Sequence, residues 1–157
     1  MGSEKVGESQ FTEGEHRKFA IALFNLTWSL LDKKDRTKQD NDRMLNAAHA
    51  SRFHWGEIGT PLEFERGDWQ ISRVYSVLKR GEPAIYHAER CLELCKANNI
   101  GDFDLAFAYE ALARAYAAAG SKANCEKYLE LAKSAAENIK KQEDKNYLLS
   151  EIKTIQN

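Results

Sequence analysis

Leu92-Glu93-Leu94-Cys95-Lys96 returns later in the chain as Leu129-Glu130-Leu131-Ala132-Lys133, from position 92 to position 129, an offset of 37. Upstream, Arg73-Val74-Tyr75 returns as Arg114-Ala115-Tyr116, from 73 to 114, an offset of 41. Self-similarity at a period of this size marks stacked copies of one supersecondary unit. Apolar residues recur at helical spacing in both copies, so the unit is a helix hairpin, one copy spanning 60–97 and the next 103–140. The two offsets differ by four residues, a difference the reading places in the turn between Arg80 and Pro83.

Outward from this pair, the chain reads as helices throughout. In helix one, about Glu13 to Leu31, Phe19, Leu23, Leu26 and Leu30 form one stripe and Ile21, Phe24, Trp28 and Leu31 another, which predicts burial on two sides. Thr37 with Asp40 three residues on spells a capping box for helix two, which carries Met44, Leu45, Ala48 and Trp55 and ends at Gly56 and Gly59. Thr60-Pro61-Leu62-Glu63 is the clearest helix start: a cap, a proline at the first helical position and an acid that reaches back. Helix three runs from there to about Arg80. Gly81 and Pro83 open helix four, which reaches Ala97, and Asn98 to Asp102 is a turn. Helix five, about Phe103 to Ala119, is rich in alanine, the strongest helix former. Helix six follows Ser121 to about Lys140, and a short helix seven carries Leu148, Ile152 and Ile155. The expected class is all-α, about seven helices in stacked antiparallel hairpins. Residues 1–12 read as a disordered tail. Residues 13–157 read as one domain: a divergent hairpin 13–57, the repeats 60–97 and 103–140, and a capping helix 143–156.

Leu112-Ala113, Tyr116, Gly120, Cys125, Leu129 and Ala132 alternate large, small, aromatic and glycine positions in a way that resembles the tetratricopeptide repeat family. Small residues let one helix nestle on its partner and large ones fill the gap to the next hairpin. The resemblance covers about 104–138 well and 60–97 more weakly, where Ser72 takes the small position. Neither unit has the closing proline, since Ile100 and Glu137 stand near that place. The segment from Ala47 to Glu57 is also similar to one in small bacterial proteins of this architecture. The resemblance implies an α-α superhelix with a groove and a binding role, and supplies no activity.

Composition narrows the classes further. Lys plus Arg number 23 against 24 Asp plus Glu, for a net charge of −1. Nucleic-acid and polybasic membrane binding need a strong positive excess, so neither is expected. No apolar run reaches bilayer length, and no apolar core marks a signal peptide in Met1 to Gln10. Three cysteines make no secreted-type framework, so a reducing cytoplasm is the expected location.

The predicted groove receives Arg66, Trp69, Gln70 and Arg73 from helix three and Glu110 and Arg114 from helix five. Arg73 and Arg114, at matched positions, would lie on one concave surface and share acidic partners. Their guanidinium forks suit a carboxylate, and Trp69 offers an aromatic wall. The plainer alternative pairs these arginines with Glu110, Glu89 or Glu93 to order the stack. His54 and Glu57 join the set if helices two, three and five close a polar pocket around a small molecule or substrate. No catalytic residue is assigned, because there is no glycine-rich phosphate loop and no serine elbow. His49 and His54, five apart, miss the metalloprotease spacing. His87, Cys91 and Cys95 do share a helical face, but Cys95 aligns with Ala132 and Cys125 with Ala88. The cysteines therefore read as small packing residues, with no metal and no cofactor expected. The function expected is a non-catalytic module for a protein or peptide partner, and the two stripes of helix one point to a homodimer through that helix.

Overall fold

The computed structural model describes residues 9–155, and within them the chain forms seven α-helices and no strand: α1 (Glu13–Asp32), α2 (Lys38–Ile58), α3 (Pro61–Val77), α4 (Gly81–Ala97), α5 (Asp102–Ala118), α6 (Lys122–Ala136) and α7 (Gln142–Ile152). The helices pair as α1 with α2, α3 with α4 and α5 with α6. The hairpins stack through α2 on α3 and α4 on α5, and α7 packs on α5 and α6.

Local chemistry sets the boundaries. The Thr37 hydroxyl accepts from the Asp40 amide at 3.1 Å, and Asp40 accepts from the Thr37 amide at 2.9 Å, a reciprocal cap. Thr12 and Glu15 do the same for α1. At α3, Glu63 accepts from both the amide and the hydroxyl of Thr60, and Pro61 occupies the first turn. Residues 9–12, read from the sequence as tail, are engaged: the Ser9 hydroxyl bonds His16, and the Phe11 ring meets Phe19 edge-on. The rest of that predicted tail, residues 1–8, lies outside the described residues. Helix six stops short of Lys140. The amides of Glu137, Asn138 and Ile139 bond three residues back, a tightened end that buries Ile139 against Leu148 and Ile152.

The repeat register differs from the sequence match in the second helices. Lys79 and Gly120, 41 apart, both adopt positive φ (58° and 78°) in the two hairpin turns. The Arg80 amide bonds Tyr75 O as the Ser121 amide bonds Tyr116 O. Tyr75 stacks on His87 at 5.9 Å and Tyr116 on Tyr128 at 5.5 Å, again 41 apart at both ends. The hairpins thus superpose at one offset of 41, and the turns are of equal length. The match of Leu92–Lys96 to Leu129–Lys133 is a slip of one helical turn. Four residues is close to the 3.6-residue period, so such a slip keeps the apolar face and preserves the pattern. In the true register Cys125 corresponds to Ala84, Cys91 to Ala132 and Cys95 to Ala136, and all six are buried.

Helix one is covered unevenly. Leu30 is buried and Leu26 and Leu31 pack with it on Met44, Ala48 and Ile71. Phe24 and Trp28 turn toward α3 and α7. Phe19 and Ile21 stay exposed, as do Phe11 and Phe53 beside them on His54.

Candidate functional site

The first helices of the three hairpins and α7 form a half-open cavity of about 240 Å³ lined by Phe24 and Trp28 of α1, Glu65, Arg66 and Trp69 of α3, Phe103, Asp104 and Phe107 of α5, and Tyr147 of α7. Its rings form a connected wall. Trp28 lies 5.4 Å from Trp69, Trp69 meets Phe107 edge-on at 5.8 Å, and Phe107 touches Phe103 at 4.5 Å and Tyr147 at 5.5 Å. The polar side belongs to Arg66, whose Nε and Nη2 donate to the two oxygens of Asp104 at 2.9 and 3.1 Å, a bidentate pair across α3 and α5. The Trp69 indole N–H is buried with no acceptor.

Next to this cavity is the arginine pair. Arg73 Nη2 donates to Glu151 at 2.6 Å and stands 3.6 Å from Glu110. Arg114 Nε donates to Glu110 at 2.8 Å, and its Nη2 reaches the Glu151 carbonyl at 3.0 Å and the Thr154 hydroxyl at 2.8 Å. The two guanidinium groups therefore lie together and share acidic partners, as expected. The partners are internal: Glu110, fully buried, and Glu151 on α7, which occupies the place assigned to an external carboxylate. Glu93 pairs instead with Arg90.

The remaining predicted residues fall elsewhere. Gln70 is buried and donates to the Phe24 carbonyl at 3.0 Å, tying α3 to α1. His54 faces His16, with Nδ1 to Nδ1 at 2.8 Å, under Phe11 and Phe19. Glu57 is exposed on the last turn of α2. Helices three and five line the cavity described above, and helix two does not. As the second helix of its hairpin, α2 sits behind α1 and against α3, so α1 and α7 line the cavity in its place.

Two clusters were not anticipated. Asp68, buried on α3, accepts from Arg52 Nε of α2 at 3.2 Å and meets His87 Nδ1 of α4 at 2.8 Å. His49 reaches the Tyr75 hydroxyl at 2.9 Å beside it. Burial and the neighbouring His87 press the His49 pKa below its usual value. This constellation joins three consecutive helices, and Asp68 is its hub. His87 is thereby drawn away from Cys91 and Cys95, the other two members of its helical face. The second cluster is Glu65 with those cysteines. Cys91 Sγ donates to Glu65 Oε2 at 3.2 Å, all three side chains are buried, and the three ligand atoms lie within 4.8 Å of one another. Burial and the facing Asp104 carboxyl push the Glu65 pKa up to about 10, so it holds a proton at neutral pH. The adjoining Cys95 thiol and burial raise the Cys91 pKa, and the adjoining Cys91 lowers that of Cys95.

The fold and cavity define an all-helical stack of three hairpins closed by a terminal helix. Compared with known proteins, the chain matches no family model, no curated protein and no solved structure. Among the described residues, no helix is long and apolar enough to cross a membrane.

Proposed function

We propose that this chain is a non-catalytic binding module of the tetratricopeptide-like kind, and that it takes an aromatic or branched aliphatic side chain of a peptide or partner protein into the cavity between α1, α3, α5 and α7. The cavity itself carries the reading. At about 240 Å³ it is smaller than the roughly 300–1,000 Å³ of sites for drug-sized ligands, and its size suits a single anchoring side chain. Apolar rings around a buried indole donor suit such an anchor, with Trp69 Nε1 left to meet a carbonyl. The arginine pair, held by Glu110 and Glu151, lends rigidity to the rim.

Panning a random peptide library on the protein, followed by fluorescence titration of the selected peptides, tests this. Two of the three tryptophans line the cavity, so emission should change on binding. Trp28→Ala should weaken the selected peptides roughly tenfold or more. Selected peptides that bind Trp28→Ala and Phe103→Ala as well as the parent would place recognition elsewhere. A second reading rests on the exposed Phe11, Phe19, Ile21 and Phe53: a homodimer through α1. Light scattering at micromolar concentration decides it, a mass of 17.9 kDa counting against the dimer.

A further inference from the structure

At the 41-residue offset, Glu65, Cys91 and Cys95 stand where the second hairpin has Ala106, Ala132 and Ala136. Those three alanines are buried in one apolar cluster, so the same helix–helix contact is made in the second hairpin with methyl groups alone. Packing therefore does not require a carboxyl and two thiols in the first. Three separate positions, one on α3 and two on α4, differ from the alanines of the second hairpin, and all three side chains meet at one point.

We infer that Glu65, Cys91 and Cys95 bind a zinc ion. The donor set is suitable: two thiolates and a carboxylate match a borderline-soft divalent cation, whereas magnesium or calcium would want oxygen alone. Cys91 and Cys95 are one helical turn apart and present both sulfurs to the same side. The spacing is near what is needed. Tetrahedral zinc with Zn–S of about 2.3 Å places two sulfurs roughly 3.8 Å apart, and the three donors here lie within 4.8 Å. Rotamer adjustments of about 1 Å therefore close the site.

The surroundings point the same way. Glu65 Oε1 is buried and receives no donated hydrogen bond. Burial and the nearby Asp104 carboxyl disfavour a bare negative charge on this group. A metal ion beside Oε1 would satisfy the Glu65 carboxylate directly, which Arg66 Nε, bonded to Asp104 at 2.9 Å, approaches only to 3.8 Å. Ala108, Leu105, Ile100 and Trp69 seal the two cysteines from water, as in closed structural sites. Binding would release the thiol and carboxyl protons to the buffer and tie α3 to α4.

The test uses the full chain, reduced, stripped with a chelator and then titrated with zinc and with cobalt(II). One zinc per chain is expected, accompanied by proton release and a rise in Tm. The cobalt form should show thiolate-to-metal charge-transfer absorption. The triple variant Glu65→Ala/Cys91→Ala/Cys95→Ala recreates the alanine set that the second hairpin already carries, and it should fold and lose the zinc. A reduced parent protein that takes up no zinc overturns the inference. So does a folded triple variant that still binds it, or cobalt absorption without thiolate character. Should the triple variant fail to fold, Cys95→Ser is the control. Its zinc affinity should fall at least about 100-fold, since even outer-shell changes cost 10–100-fold, and unchanged affinity overturns the site.

Discussion

Replacing Glu65 by Gln in the metal-free protein should stabilise it at neutral pH, by an amount the burial of this carboxyl sets. In the folded chain Glu65 keeps its proton to about pH 10, whereas in the unfolded chain it titrates near 4.5. Above 4.5 the unfolded state therefore binds fewer protons than the folded one, and stability falls with rising pH by about 1.36 kcal/mol per unit. Stability from this group is complete below pH 4.5 and lost progressively upward. Between pH 4.5 and 7 the loss amounts to roughly 3 kcal/mol, a sum that depends only on the folded pKa lying well above 7. Gln has nearly the same shape and cannot ionise, so it carries no such loss. Urea unfolding followed by circular dichroism, with chelator present, gives the stability of both proteins at each pH. The quantity to read is the difference between them, which cancels the titration of other groups. It should shift by about 3 kcal/mol in favour of Gln from pH 4.5 to 7. Parallel pH profiles would mean that Glu65 is ionised in the folded protein, and a Glu65 kept protonated by burial beside Asp104 would be refuted.

Gly81→Ala should destabilise by about 1–3 kcal/mol in urea unfolding, although alanine is the better helix former, because its Cβ would sit 2.5 Å from the Ala119 backbone. Glu110→Ala should cost roughly 3 kcal/mol in the same assay, since it removes a fully buried partner of Arg73 and Arg114, and Glu110→Gln should recover part of it. Burial and His16 lower the His54 pKa, and burial and His87 lower that of His49. The unfolded chain therefore protonates first below pH 6.5, and thermal stability should drop as pH falls from there; His49→Gln/His54→Gln should flatten that drop.

What the sequence made legible follows the range of each interaction. Thr37 with Asp40 and Thr60-Pro61 with Glu63 act within one turn, and both helices begin where those residues say. The hairpins were readable because periodicity is a local property. Their register was not, because a slip of four residues along a helix moves each side chain only a small angle around it. Arg73 and Arg114 do share acidic partners, yet one of these, Glu151, lies 78 residues from Arg73, and no spacing rule reaches that far. Asp68, His87 and His49 likewise meet only once three helices are stacked. Glu65 carried a usable signal. At the 41-residue offset, already visible in the first helices, it stands against an alanine.

The docking of α7 has a consequence for competition. The connection from Glu137 to Lys141 is short, so Glu151 is presented to Arg73 and Arg114 at an effective concentration on the order of millimolar or above. Any acidic group arriving from solution has to displace a tethered rival. Its apparent dissociation constant is the intrinsic one divided by the small fraction of time that Glu151 is away. With α7 in place, Glu110 and Glu151 already satisfy the arginine pair. A chain shortened before Gln142 would expose it, and would gain affinity for acidic peptides by the factor that α7 now withholds.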